Sequence, residues 1–381
     1  MSPRKLRQSE SLVLDPDVLR PGAVCEFQSS QAALAQGGVA IQPWRDAFLA
    51  DQAAGIAVSA HAREIASAIF AQAIVHLQKS RAATADDLCE AWRILAPAGE
   101  LLFAGPNTLG VVSAVKKLAE QLGQPGVMVA NRARARVVRF RKQGDAAPLR
   151  ETPEPIVVAL PIQPSHPDST GAVAETFELE TLPGVFSAKR LDPGSELLIE
   201  GLGPIGLYKP PRRIVDLGCG TGVLGLAAAK IFPEAEVLLV DADARAVECA
   251  ERNVARLGLG GRCRVLWWDA HEKPPETGFD WAISNPPFHH RGPEVELVPA
   301  FALFDSLAGW LTRNGRALVV ANRTLPYEAP LALLGEVVKV AETKGYKLLS
   351  LSKSARSPGS RGRSAPGARS GGRSRPPIRS R

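Results

Sequence analysis

Between residues 212 and 352, short and almost continuously apolar runs alternate with segments of helical spacing. RRIVDLG, AEVLLVD, RCRVLWWD, FDWAISN and RALVVAN read as strands. Between them, GLAAAKIF, ADARAVECAERNVARLG and ELVPAFALFDSLAGWL carry the helical period. The second of these is closed by a glycine and the third by Asn314-Gly315. A short helix then precedes VVKVAET, a turn at Lys344-Gly345 and YKLLSLS, which read as a hairpin. Strands that are apolar along their whole length are buried on both faces. The alternation therefore predicts an α/β fold whose parallel sheet is covered by helices and made mixed by its terminal hairpin.

The first third of the chain echoes this order. GELLFAGP (99–106) lines up with GRALVVAN (315–322), an offset of about 216 residues. After the first come a helix, VVSAVKKLAEQLG, a strand, GVMVA, a turn at Asn131-Arg132 and a strand, ARARVVRFRK. The order helix, strand, turn, strand repeats, which predicts an internal duplication. The first copy has no glycine-rich loop and no Asn-Pro-Pro, so it is expected to be inactive. Between the copies, residues 143–175 are Pro-rich and polar around one apolar run, IVVALPI, and read as a linker containing a strand.

Charge changes the picture at the C-terminus. The net charge is +7, yet residues 352–381 hold Lys353 and eight arginines with no acid, so the rest of the chain is near neutral, at −2. The segment is Ser/Arg/Gly/Pro with one branched aliphatic residue and cannot bury enough apolar surface to offset its ordering entropy. It reads as a disordered basic tail, either solubilising or a handle for phosphate backbones. In ARARVVRFRK, Arg134 and Arg136 are expected on one strand face and Arg139 and Arg141 on the other, as a solvated hairpin or a grip on RNA phosphates. Phe140 between them could stack. The five cysteines are scattered, without a C-x-x-C pair. A disulfide framework or metal site is not expected, and a reducing cytoplasm is. No apolar run approaches the length of a membrane span, and the basic N-terminus leads into no apolar h-region.

The chemistry concentrates in four places. VDLGCGTGVLG (215–225) sits between a strand and a helix, with Asp216, Gly218, Gly220 and Gly222 at alternate positions. Glycines there let the backbone turn tightly and approach a ligand. Gly220, Gly222 and Gly225 match the dinucleotide spacing, which stays open as an alternative. Asp216 can order the turn and lie near a cationic amine, which suits a methionine-bearing sulfonium better than a pyrophosphate. Asp241 ends the second strand about 20 residues further on, where an acid accepts from ribose hydroxyls. The plain alternative is a helix N-cap, which Asp243 can supply instead. Asp269 is expected to end the third strand, where it could accept from an adenine amino group or merely cap. The fourth place is Asn285-Pro286-Pro287-Phe288. Neither proline can donate to a ladder, so the strand stops there. The Asn285 side-chain oxygen and the Pro286 carbonyl can hold the two N–H bonds of a planar amine, and Phe288 can stack on its ring, a contact worth roughly 1–3 kcal/mol. His289 and His290 are either substrate contacts or exposed loop residues. No acid or cysteine at ligand spacing makes them a metal site.

Taken together, "VDLGCGTGVLG…DAD…WWD…SNPPFHH" resembles a class I S-adenosylmethionine-dependent methyltransferase. More narrowly, it resembles the ribosomal RNA guanine-N2 methyltransferases of the small subunit methyltransferase C and large subunit methyltransferase G type. TLPGVFSAKRLDPGSELLIEGL (182–202) and ANRTLPYEAPL (321–331) are similar to segments flanking that family's glycine loop and fifth strand. The resemblance implies a Rossmann-like class I methyltransferase sheet behind a degenerate methyltransferase-like N-terminal domain. It also implies S-adenosylmethionine as cofactor, bound by Asp216, Gly218, Cys219, Gly220, Gly222, Asp241 and Asp269, and catalysis by Asn285, Pro286, Pro287 and Phe288. The partner it implies is ribosomal RNA or a ribosomal subunit. The Arg-rich tail is outside the family's common pattern.

The expected organisation is an N-terminal extension (1–20), a degenerate domain (21–145), a linker (146–176), a catalytic domain (177–352) and a basic tail (353–381). Two rival readings remain. The Asn-Pro-Pro-aromatic corner also serves adenine N6 and glutamine N5, so only its flanking segments favour guanine. A non-catalytic RNA-binding assembly factor would keep the fold without the chemistry.

Overall fold

The computed structural model describes residues 7–144, 146–150, 152–161, 175–185, 190–207, 209–287, 289–291 and 294–353, with 289–291 and 294–296 as backbone only. Phe288, the side chains of His289 and His290, and the tail from 354 onwards lie outside the described residues.

The chain builds two seven-stranded sheets. The first contains β1 (Val24–Phe27), β2 (Val39–Ile41), β3 (Ala57–Ser59), β4 (Phe70–His76), β5 (Leu95–Pro106), β6 (Val127–Arg132) and β7 (Ala135–Arg141) in the order β3-β2-β1-β4-β5-β7-β6. β8 (Ile156–Ala159) and β9 (Thr176–Leu179) then form an antiparallel pair. The second sheet begins with β10 (Arg213–Leu217), β11 (Glu236–Asp241), β12 (Cys263–Trp267) and β13 (Phe279–Ser284). A small antiparallel pair follows, β14 (His289–Arg291) with β15 (Glu294–Glu296). β16 (Leu311–Asn322), β17 (Gly335–Glu342) and β18 (Tyr346–Lys353) complete the second sheet in the order β12-β11-β10-β13-β16-β18-β17. The two strand orders are the same. In each sheet six strands run in one direction, and only β7 in the first and β18 in the second, each lying between its last two neighbours, runs against them. β5 and β16 even share one burial pattern, residue for residue.

Alternate residues of the second sheet face opposite cores, as the pleat requires. Ile214, Leu239, Ile283 and Leu318 pack with Leu198, Leu202, Leu226 and Ala250 from helices 193–206, 223–231 and 244–256. Val215, Leu238, Ala282 and Val319 pack with Phe304, Leu307 and Trp310 of helix 298–310. The Pro-rich stretch between the sheets is not wholly a linker. Ile156 and Val158 of β8, with Phe177 and Leu179 of β9, join the first of these clusters.

Three expectations need correcting. The helix before β16 ends at Trp310, and Asn314-Gly315 lie inside β16, at the irregularity that shifts its register against β13. A Cβ on Gly315 would come within 2.9 Å of Leu311 Cβ, so the bulge itself requires the glycine. The turn expected at Asn131-Arg132 falls at Ala133-Arg134, both with positive φ (51° and 56°), the two-residue geometry that matches strand twist. This moves Arg134 off the strand and into the turn. Finally, Phe140 is buried in the core, and Arg139 pairs with Glu100 (3.4 Å) and donates to the Val18 carbonyl (2.8 Å). Neither is available to a base or a phosphate.

The carboxyl edge of the first sheet is closed by its own side chains. Glu26 pairs across to Ile74, four residues into β4, as Asp216 does to Ile283, four residues into β13. Fully buried, Glu26 accepts from the Ala32 and Ala33 amides (2.7 and 3.2 Å) and bonds His76 Nε2 at 2.9 Å. Asp51 accepts from Ser30 Oγ (2.7 Å) and from the side-chain Nε2 of Gln42 (2.8 Å), the residue that follows β2. Removing one partner of such a buried pair strands the other. His76→Ala is expected to lower stability by about 3 kcal/mol in urea unfolding; a loss below about 1 kcal/mol would show that the pair does not hold this edge.

Candidate active site

The same edge of the second sheet is built differently. β10 ends in Asp216-Leu217, and the chain then runs through Gly218, Gly220 and Gly222 at φ of 74°, 56° and 86°. Side chains seldom adopt this conformation, so the loop depends on glycine. Gly218 and Cys219 donate to the Val240 carbonyl at 2.8 and 3.0 Å, which ties the loop to β11. A Cβ on Gly220 would meet nothing within 4 Å among the described residues, so these leave open space beside the loop. Gly225 packs closely on the next strand, where an added Cβ would come within 3.0 Å of the Leu239 side chain.

Asp216 is fully buried. Its Oδ2 accepts from the Gly225 amide at 2.8 Å, which ties the start of helix 223–231 to the end of β10. Its Oδ1 has no hydrogen-bond partner among the described residues. Burial pushes this carboxyl up to about 7, and neighbouring Asp241 adds to the effect against the Gly225 bond. Asp241 ends β11. It accepts from the Gly220 amide (2.8 Å) and from the Asp243 amide (2.9 Å), and burial raises it to about 6. Asp243, not Asp241, caps helix 244–256, accepting from the Arg245 amide at 3.0 Å. The Cys219 side chain is buried in the core and its thiol is pushed far up by burial, so this residue can serve a ligand only through its backbone. Asp269 lies two residues past β12, half-buried, with Oδ1 accepting from the His271 amide (2.9 Å) and contacting its ring (2.7 Å).

The Asn285 corner stands at the same edge. β13 runs parallel to β10, and Ser284 Oγ donates to the Leu217 carbonyl at 2.7 Å, so Asn285 follows on beside the glycine loop. Its amide nitrogen donates to Asp192 Oδ2 (2.9 Å) and to Ser195 Oγ (3.0 Å). Both N–H bonds are thereby used, and the side-chain oxygen is turned away from these partners. Asp192 is itself the N-cap of helix 193–206, accepting from the Gly194 and Ser195 amides (2.9 and 3.1 Å), and Tyr346 reaches it at 3.4 Å. Reading the chain for catalytic motifs missed Asp192 and Ser195. The signal was present as Asp-Pro-Gly-Ser, a capping residue followed by proline at the first helical position. Thus Asp216, Gly218, Gly220, Gly222, Asp241 and Asn285 share one edge, and Asp269 stands past the neighbouring strand. Among the described residues no group of three His, Cys, Asp or Glu is placed to hold a metal.

Folded-state values above the unfolded ones make Asp216 and Asp241 stabilising at low pH. That contribution is lost as pH rises from about 4 through about 7. Asp216→Asn keeps an acceptor for Gly225 and removes the charge. It is therefore expected to be at least as stable as the parent at pH 8, and the fall in stability between pH 5 and 8 should be shallower in urea titrations. A steeper fall in the variant would contradict the assignment.

Comparison with known proteins agrees with this geometry. The methyltransferase small domain family matches residues 176–350. The ribosomal RNA small subunit methyltransferase C of Pseudomonas paraeruginosa is 33% identical over 280 residues, covering 73% of this chain and 78% of that protein. The ribosomal RNA large subunit methyltransferase G of Shewanella amazonensis is 28% identical over 281 residues, covering 73% and 68%. Among solved structures, a T. thermophilus 16S rRNA N2 methyltransferase in complex with AdoMet and guanosine superposes with a TM-score of 0.78, at 25% identity over 91% of this chain and 92% of that one. A two-sheet chain with one open carboxyl edge and relatives of this identity and coverage belongs to the ribosomal RNA small subunit methyltransferase C family.

Proposed function

We propose that this protein transfers a methyl group from S-adenosylmethionine to the exocyclic N2 amine of a guanine in ribosomal RNA. The observation that carries methyl transfer to a planar amine is the anchored amide of Asn285, whose oxygen is oriented by Asp192 and Ser195 at the edge that also carries the glycine loop. The relatives named for ribosomal RNA, one of them holding guanosine, support guanine as the target.

The residues of that edge fit the cofactor. Asp216 offers a buried carboxylate oxygen that has no partner among the described residues, suited to a cationic amine. The described residues leave open space at Gly220 of the glycine loop. Asp241 holds both oxygens in place with backbone amides and keeps further lone pairs for two ribose hydroxyls. Gly218, Cys219 and Gly222 contribute backbone, and Asp269 is assigned to the adenine amine. S-adenosylmethionine, when bound, supplies an electrophilic methyl on sulfur. The Asn285 oxygen and the Pro286 carbonyl accept the two N–H bonds of the guanine amine, which directs its lone pair. Pro286 and Pro287 hold those acceptors rigid, so alignment precedes reaction. An amine methylated in this way would be left cationic and could release its proton to water, so no residue of the edge is assigned as a general base. Phe288 is assigned to stacking on the base.

The first half is proposed to bind no cofactor, since Glu26, His76 and Gln42 fill its corresponding edge. RNA phosphates are proposed to meet exposed Arg134 and Arg141, with half-buried Arg136 at their margin, and the basic tail 353–381. Among the described residues no helix is long and apolar enough to cross a membrane, and the proposed setting is the cytoplasm, where ribosomes are assembled.

Two measurements test the reading. With methyl-labelled S-adenosylmethionine and unmodified ribosomal RNA, naked or as subunits, the label is expected in N2-methylguanosine after digestion. Label on adenosine or on protein would overturn the substrate assignment. Asn285→Ala should abolish turnover, by at least about a hundredfold, while cofactor affinity stays within about twofold. Retained activity would remove the role given to the amide.

A further inference from the structure

We infer that the cofactor-binding edge of the second half is braced by its counterpart loop in the first half, with Arg45 as the positioning residue. The inference rests on the cofactor assignment above and goes beyond it.

The two loops are related by the duplication. Ala40 of β2 pairs with Glu26 as Leu239 of β11 pairs with Asp216, so Gln42 stands where Asp241 does, and Pro43–Arg45 correspond to Ala242–Ala244. These corresponding segments bind each other. Trp44 and Asp243 form an antiparallel bridge. The Arg45 amide donates to the Ala242 carbonyl (2.9 Å), and the Ala244 amide donates to the Pro43 carbonyl (2.8 Å). Exchanging the halves exchanges these two bonds, which is the signature of a contact about a local two-fold axis. The loop that carries Gln42 at this position is thus hydrogen-bonded to the loop that carries Asp241.

The Arg45 side chain extends the brace to the next strand. Its guanidinium forms a two-pronged pair with Glu272, through Nε to Oε1 and Nη2 to Oε2. It lies over the Trp267 ring, 5.3 Å from the ring centre, and Phe48 meets the same ring edge-on at 4.9 Å. Trp267 Nε1 donates to the Ala242 carbonyl (2.9 Å), the same oxygen that accepts from the Arg45 amide. Glu272 Oε1 accepts from the Asp269 amide at 3.1 Å. One residue of the first half therefore holds both the turn after Asp241 and the turn carrying Asp269, and touches neither carboxylate. Bonding to Arg45 keeps the Glu272 carboxyl below its usual range, so this partner is ionised at neutral pH. A fixed, charged fork suits this geometry better than an ammonium would.

The test uses the full chain and reads cofactor and RNA separately. Equilibrium affinity for S-adenosylmethionine, and KM for cofactor and for RNA, are compared in the parent, Arg45→Ala, Glu272→Gln, the double variant and the exchanged pair Arg45→Glu/Glu272→Arg. Arg45→Ala is expected to weaken cofactor binding about tenfold, with KM for RNA and turnover at saturating cofactor within about threefold. The double variant should be no worse than the more damaging single one, and the exchanged pair should recover part of the loss. Glu272→Gln keeps side-chain volume and supplies the same readout if Arg45→Ala does not fold. If the parent binds the cofactor and both single variants bind it within twofold of the parent, the brace is wrong while the site assignment stands. If KM for RNA and for cofactor rise together, Arg45 is only structural and the inference also fails. A parent that does not bind S-adenosylmethionine overturns the site assignment itself.

Discussion

Strand β13 has to end at Ser284, because the Pro286 and Pro287 that follow Asn285 have no N–H to extend a ladder. The site depends on that stop. The strand beside it, β10, ends in register, and Ser284 Oγ closes the gap to the Leu217 carbonyl, so Asn285 and the glycine loop are set side by side by parallel pairing. A short polar side chain at such a stop could take several rotamers. Here the N-cap of another helix removes that freedom, since Asp192 and Ser195 take both N–H bonds of the amide. What remains is an oriented oxygen next to a proline carbonyl, an arrangement suited to a planar amine.

The two halves show one scaffold with its polar groups resolved in two ways. In the first, the acid at the end of the central strand is answered within the protein: Glu26 bonds His76 and two helix amides, and Gln42 bonds Asp51. In the second, Asp216 keeps one buried oxygen without a partner among the described residues, at a cost that shows in its raised protonation equilibrium. A closed edge is stable and inert. An open one is less stable alone and ready for a ligand. The closed half is still used, because its loop at Pro43–Arg45 pairs with the working loop at Ala242–Ala244.

Much of this was legible in the chain because strands buried on both faces read as continuous apolar runs. The α/β class, the terminal hairpin and the echo between 99–106 and 315–322 come from periodicity, and the structure repeats one strand order twice. The glycine loop was legible because positive φ at Gly218, Gly220 and Gly222 admits few other residues. Local features that depend on the rest of the fold were not legible. Asn314-Gly315 has the composition of a helix end, yet sheet register places it in a bulge. Ala133-Arg134 has no turn preference comparable to Asn131, yet the pairing of β6 with β7 puts the turn there. Asp192 reads as a cap, and its second task needs a residue 93 positions away. Arg45 and Glu272 are 227 positions apart in charged, unremarkable surroundings, and no spacing rule connects them.

The most direct test of the central claim is the single-turnover rate of methyl transfer in Asp192→Ser. Serine keeps a good helix cap but is too short to hold the Asn285 amide. The rate is expected to fall about 10- to 100-fold, with cofactor affinity and thermal stability near those of the parent. A rate equal to the parent's would mean that the orientation of Asn285 does not govern the reaction.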